Sequence, residues 1–542
     1  MPDASFIRRV PRAVVALFFG ALLLLGGMLF ADYGVSWDEP VDRMNGLVSL
    51  RYAAGQLAPG WAARQPRLQN LPAFEGYADN DHGVLFELPL ALFEVLRPGN
   101  NPRTYYLMRH AAVFLVSMVG CWALFRLGTR RFRDERLGLL AAGLLVLSPR
   151  FFAESFYNGK DLVFLAAFTV GAYTLARLLA RPSAGRALVH ALATAAAIDV
   201  RILGLLLVPF TLALLGLQLL GGSAPRPWRT LLGVALTYVL ATAAATVAGW
   251  PYLWASPWQH FWQAFHNLSR FRWDGVMLYL GEQVHPDHYL PWHYGPVWMN
   301  ITTPVAYQLA ALLGLAVAAG ALLRRPWQQW RTTAGQLDLL LLAWLGLPLA
   351  MIINLHSVIY DGWRHLYFVY PALLLLAVRG GLAIAQWGQR SPGRRRLALG
   401  LATLASLEAV STAARMAWMH PHQQTYFSYL PRRTAERLFE RDYWALSYRQ
   451  GLEYVVRQQP TGPVYIDVTH IPPLDNNKVW LSAADQARLV MAPGKAGRYF
   501  ISAYRHTDTP YPDSVGREVF AVHADGIKIL SVFQRDQPGT GK

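Results

Sequence analysis

The chain has 542 residues, 54% hydrophobic and 15% charged, against the roughly one quarter charged that soluble domains carry. That balance excludes an ordinary soluble enzyme and points to a polytopic membrane protein. Lys and Arg outnumber Asp and Glu by 50 to 33, a formal net charge of +17. The basic residues fall mainly in short loops between apolar runs, so the excess reads as membrane topology and no nucleic-acid partner is expected. The lone Cys121 lies inside an apolar run and excludes an intramolecular disulfide.

Arg8, Arg9 and Arg12 precede the apolar run Ala13 to Phe30, which at roughly 1.5 Å per residue crosses a bilayer. With no small-x-small cleavage site before Asp32, it reads as a retained first span with a cytoplasmic N-terminus. The polar stretch DYGVSWDEPVDRMN, Asp32 to Asn45, therefore starts at a membrane surface. Its acids Asp38 and Glu39 sit between Trp37 and Pro40, where an aromatic and a stiff ring can hold a general base at the interface. The plainer alternative is a helix cap, with Ser36 as N-cap and Glu39 completing a capping box.

The loop 32–106 is too long for a connector and suits helices lying in the interface. Within it, Asp79-Asn80-Asp81-His82-Gly83 is either a solvated turn or a second polar cluster facing the first. Further spans are expected at Ala111–Leu127, Leu137–Leu147, Val163–Leu179, Ala187–Ile198, Leu203–Leu220, Leu231–Ala248, Thr303–Leu323, Leu337–Ile353, Leu366–Ala385 and Leu397–Ala413, about 11 in all. The cytoplasmic loops are Arg-rich, including Arg126 to Arg136, Arg226 with Arg229, and Arg390 to Arg396. Asp38, Asp81, Lys160, Asp161, Arg201, His293 and Arg364 then all fall on the outer side. In the turn Asp199-Val200-Arg201, the acid and the arginine either pair with each other or leave Arg201 for an anionic ligand.

The second long outer loop, 250–300, is an aromatic belt that also carries His285, Asp287, His288 and His293, candidate metal ligands without a fixed zinc spacing. From His420 the apolar runs shorten. A helix over Thr434 to Gln458 and strands at Pro463–Val468, Arg498–Ala503, Glu518–His523 and Ile527–Phe533 predict a small extracytoplasmic α/β domain. The expected division is 1–413 for the membrane domain and 420–542 for the outer one.

A DE pair opening the first outer loop after one span, a long second loop cluster, an RHLYFVYP segment leading a late span and a soluble outer tail together resemble the polytopic GT-C glycosyltransferases. The branch is that of protein O-mannosyltransferases and lipid A aminoarabinose transferases, and the likeness covers the architecture from Ala13 to Ala413. Segments such as YNGKDL, YDGWRH and DYWALSYRQ look like those of bacterial members, which implies a bacterial inner membrane with the C-terminal domain periplasmic. The resemblance implies sugar transfer from a polyprenyl-phosphate carrier, in contact with membrane lipids, to an acceptor it does not name. It gives Asp38 the role of catalytic base.

A positioned carboxylate that takes the acceptor's proton contributes about 100- to 10,000-fold, and direct displacement with one base implies inversion. Because the leaving group is a phosphate, cations rather than a general acid are needed. Arg201, Arg364 and Lys160 are the candidates to hold it, with Glu39 orienting Asp38 or the acceptor. Asp81, His82, Asp161 and His293 are candidate acceptor or metal contacts. Either a divalent ion shared by Asp38, Asp161 and His293 screens the phosphate, or arginines do. The chain departs from the family where a His-Pro-Pro or Lys-Pro-Pro turn is usual, having Asp81-His82-Gly83-Val84 instead. No Gly-rich phosphate loop supports a nucleotide-sugar donor. A transporter or flippase, which gathers polar groups near mid-bilayer, and a non-catalytic envelope scaffold are the competing readings.

Overall fold

The computed structural model describes residues 7–97, 99, 101–221, 227–269, 273–507 and 510–535; Arg226 of the expected cytoplasmic loop lies outside them. The chain is mostly helical, and among the described residues nine helices are long and apolar enough to cross a membrane, or ten if one bent pair counts as a span. Each of the expected spans corresponds to a helix, but two are not simple crossings. The third is Glu135–Val146 continued by Pro149–Tyr157 at an angle of 72°. Pro149 cannot donate a backbone bond there, and the Ser148 hydroxyl at the bend is held by Leu144 O at 2.7 Å and Tyr370 Oη at 2.8 Å. The fifth, Ala184–Ile198, has only 15 residues.

The fourth span, Asp161–Ala180, and the tenth, Arg364–Gly388, are 83% and 67% buried, whereas the first and the last are 11% and 6% buried. The former are thus the centre of the bundle and the latter its lipid-facing flanks. Both central spans begin at the same end, with Asp161 and Arg364 as their opening residues. At the opposite end Asp338 neutralises Arg379 at 2.9 Å and also pairs with Arg131.

The loop after the first span folds into helices at Glu39–Leu57, Pro59–Ala62, Pro66–Gln69 and Glu87–Leu96. The longest begins at Glu39 with Pro40 in its first turn, where a missing N–H costs nothing. The capping box is half formed. Ser36 N–H donates to Glu39 Oε2 at 2.7 Å, but the residue preceding the helix is Asp38 and no side chain caps it.

In the second long loop, β1 (Met277–Tyr279) and β2 (Glu282–Val284) form a hairpin. The C-terminal sheet joins β3 (Val464–Val468), β4 (Leu489–Met491), β5 (Tyr499–Ala503), β6 (Arg517–Ala524) and β7 (Ile527–Gln534) in the order β4-β3-β5-β7-β6. β3 runs parallel to β4 and β5, and β7 antiparallel to β5 and β6. The helix expected over Thr434 to Gln458 is instead two, Arg432–Leu438 and Tyr448–Gln458. The buried Asp442 breaks it by accepting from Ser447 N and Oγ at 2.9 and 2.5 Å and from Leu446 N at 3.3 Å. Such local side-chain bonds compete with helix.

Candidate active site

Asp161 is set by the turn that precedes the fourth span. Asn158 Oδ1 accepts the Asp161 N–H at 2.8 Å, and Asn158 Nδ2 donates to Asp161 Oδ2 at 3.0 Å and to Glu154 Oε2 at 2.7 Å. The segment YNGKDL is therefore an Asn-locked turn that aims a carboxylate at the cluster. Arg201, at the tip of the hairpin between the fifth and sixth spans, donates to Asp161 Oδ1. It does not pair with Asp199, whose buried Oδ1 has no hydrogen-bond partner and whose carboxyl burial pushes up to about 9. Gly83 lets the second acidic cluster pack on this tip, since Leu85 N–H donates to Asp199 O at 3.3 Å and a side chain at Gly83 would collide with that carbonyl.

Arg364 joins the acids. Its Nη1 lies 2.6 Å from Asp38 Oδ2 and 3.4 Å from Asp161 Oδ2, and its Nη2 lies 3.4 Å from Asp361 Oδ2. Arg505 of the C-terminal segment closes the chain of charge, donating to Asp361 Oδ1 at 2.6 Å. The guanidinium of Arg364 is stacked over Tyr360 and Trp444, 4.9 and 4.8 Å from the ring centroids. Asp161, Arg364 and Asp361 are buried, with 1%, 3% and 6% of their side chains exposed, whereas Asp38 keeps 37%. Burial works against its ionised form, but Arg364, aided by Lys160 and Arg505, overcomes that and holds the carboxyl below its ordinary value. The result is an ionised, partly open carboxylate at the end of the bundle. Arg201 Nε and Arg364 Nε are buried beside it without hydrogen-bond acceptors.

Glu39 points elsewhere. It is 1% exposed, with Oε1 3.0 Å from His110 Nε2 and 3.8 Å from Arg109 Nε, so it fixes the loop rather than reaching Asp38 or an acceptor. Arg109, 0% exposed, also binds Asp42 Oδ2 at 3.0 Å and Glu87 through both carboxylate oxygens. Between the two clusters, Lys160 and His82 line a small cavity with Asp42, Asn45 and Glu87. Burial and then Lys160 push the His82 imidazole below its usual value. Asp81 lies 3.3 Å from His82 Nδ1 and accepts from Asn267 Nδ2 at 3.0 Å.

The hydrogen bond of His293 lies outside this cluster, its Nδ1 standing 2.6 Å from Tyr279 Oη. Of the two alternatives for screening the phosphate, a divalent ion that His293 shares with Asp38 and Asp161 finds no such grouping among the described residues. Among the described residues no group of three or more His, Cys, Asp or Glu could hold a metal ion, His285, Asp287 and His288 included. The position between Asp38 and Asp161 is taken by a guanidinium, so the residues do not fit a shared metal.

Fold and site together define a multi-pass α-helical membrane protein with a carboxylate–guanidinium site where its central spans begin. No family model matches the chain, and no curated protein matches it either. Among solved structures, the chain is similar to ArnT from Cupriavidus metallidurans in the apo state (TM-score 0.45, 14% identity, 96% of this chain and 98% of that one). It is similar to the same protein bound to undecaprenyl phosphate (0.45, 13%, 96% and 98%). It is also similar to the Archaeoglobus fulgidus oligosaccharyltransferase in the apo form (0.47, 10%, 88% of this chain and 64% of that one). The chain thus spans about two thirds of the archaeal enzyme's length.

Proposed function

We propose that the protein is an inverting membrane glycosyltransferase that moves a sugar from a polyprenyl-phosphate donor to an acceptor hydroxyl on the outer face of a bacterial inner membrane. The observation that carries this reading is Asp38: an ionised carboxylate, more than a third open, held by Arg364 at the mouth of the helical bundle. In the step proposed, Asp38 takes the proton of the acceptor hydroxyl as its oxygen attacks the anomeric carbon from the face opposite the phosphate. The bond from that carbon to the phosphate oxygen breaks, and its electron pair leaves with the polyprenyl phosphate.

Arg201 and Lys160 are the cations we assign to that phosphate. Arg201 keeps 15% of its side chain exposed and has an unpartnered Nε, and a guanidinium matches phosphate oxygens. Arg364, read from the sequence as a third phosphate ligand, is 3% exposed and spans Asp38, Asp161 and Asp361. Its role in this reading is to keep Asp38 ionised and aimed. A lipid donor suits the location, since each buried CH₂ of a polyprenyl tail contributes about 0.8 kcal/mol. Purified protein in lipid, offered radiolabelled polyprenyl-phosphate sugars with cell-envelope extract as acceptor, tests the reading. Label transferred by the wild type and not by Asp38→Asn supports it; no transfer across the panel, or equal transfer by both, overturns it.

A further inference from the structure

The C-terminal segment grips the backbone on which Asp38 is carried. Asn477, fully buried, makes a reciprocal pair with Val35. The Val35 N–H donates to Asn477 Oδ1 at 2.9 Å and Asn477 Nδ2 donates to Val35 O at 3.0 Å, as a neighbouring strand would. The same amide nitrogen also donates to Pro473 O at 2.9 Å, which fixes its orientation. One residue earlier, Asn476 Nδ2 donates to Ser36 O at 3.2 Å. From the neighbouring helix, Arg449 Nη1 donates to Ala31 O at 2.8 Å and Tyr33 O at 3.0 Å. Four of the six carbonyls between Ala31 and Ser36 are thus held by C-terminal side chains.

The fit leaves no slack. A Cβ at Gly34 would stand 2.6 Å from both Asn477 Oδ1 and Leu446 O, so this approach requires glycine. On its far side, the loop is anchored by the Ser36 N–H donating to Glu39 Oε2. Asp38, which follows directly, inherits its position from these contacts and from Arg364.

We propose that the C-terminal segment positions the catalytic loop, with Asn477 as the main positioning residue and Asn476 and Arg449 in support. This rests on the glycosyltransferase reading for its catalytic meaning, but the clamp itself is testable without it. The donor-phosphate cations Arg201 and Lys160 come from other parts of the chain. Loosening the clamp therefore lowers turnover and leaves phosphate affinity alone. A displacement of about 1 Å is enough to cost about a hundredfold in rate.

The experiment is hydrogen exchange by mass spectrometry on full-length protein in nanodiscs, for wild type, Asn477→Ala, Asn476→Ala and Gly34→Ala. It is paired with undecaprenyl phosphate affinity and sugar-transfer kcat on the same samples. The expected result is exchange about tenfold faster or more in peptides covering 33–39, with β5 and β7 still protected, kcat reduced and undecaprenyl phosphate affinity unchanged. If Asn477→Ala also loses protection in the sheet, the milder Asn476→Ala decides. Unchanged exchange at 33–39 in the deciding variant overturns the clamp. Faster exchange with unchanged kcat overturns its catalytic role. Absence of transfer by wild type overturns the glycosyltransferase reading and with it that role, leaving the exchange result to decide whether the clamp exists.

Discussion

Two networks of buried charge meet at one end of the bundle, built from the same residue types and put to different uses. Around Arg109, the acids Asp42 and Glu87 and the Glu39–His110 pair are sealed, none of these side chains exposing more than 8% of its surface. Around Arg364, the acids Asp161 and Asp361 are equally sealed, but Asp38 is open. The sealed network ties together the helices Glu39–Leu57, Glu87–Leu96 and Pro102–Phe132. Its charges act mainly on one another, with Asp42 and Glu87 also lining the small cavity beside Lys160 and His82. The second network has the same internal economy of charge and one carboxylate left facing outward. Buried ion pairs are weak grounds for assigning function; an open carboxylate that buried cations keep ionised is a stronger one.

The largest expected effect separates the two at once. Asp38→Asn lowers sugar transfer by about 100- to 10,000-fold while its thermal unfolding in detergent stays within a few degrees of wild type. Arg109→Ala does the reverse, leaving buried carboxylates without their cation and destabilising the protein by about 3–5 kcal/mol, read as a lower unfolding midpoint. A mutant of Arg109 that is stable but inactive would dissolve the distinction. Next in size, Arg201→Ala weakens polyprenyl-phosphate binding by about 10- to 100-fold, the worth of a charge-assisted contact of about 1.5–3 kcal/mol, and is measured by titrating undecaprenyl phosphate.

The smallest effects are in pH. Because Asp38 is held below its ordinary value, transfer should stay on its plateau as pH falls from about 7 to about 5 and decline only below the usual carboxylate range. In the sealed network the sign is opposite. Burial and the nearby Glu87 push Asp42 up to about 7, so the folded state binds a proton that the unfolded chain has released. This contribution to stability is lost as pH rises from about 4 to about 7. Asp42→Asn should flatten that slope in unfolding midpoints measured across the interval.

Much of this was legible in the sequence, and what was not has physical causes. The spans could be read because each is an apolar run bounded by charge. The bend at Ser148 and Pro149 was missed because a short apolar run followed by PRFF carries no signal for what the chain does after it turns. Asp38, Asp161, Arg201 and Arg364 stand out as charges beside apolar runs, and the fold brings them into one cluster. Arg109 offered a comparable signal. It lies within the helix Pro102–Phe132 ahead of that helix's apolar stretch, where an arginine is costly unless paired, yet its partners Asp42 and Glu87 are far away in sequence. Asp361 was within reach of inference, three residues before Arg364. Arg505 and Asn477 were not, because residues in a soluble-looking segment give no hint that they dock on Asp361, 144 residues earlier, and on Val35, 442 residues earlier.

The most direct test measures undecaprenyl phosphate affinity and sugar transfer on the same preparations of wild type, Asp38→Asn and Arg201→Ala. The account predicts that Asp38→Asn binds the lipid phosphate as tightly as wild type, since the phosphate cations Arg201 and Lys160 are untouched, and transfers no sugar. It predicts that Arg201→Ala loses affinity. Transfer retained by Asp38→Asn, or lipid-phosphate affinity untouched by Arg201→Ala, would contradict it.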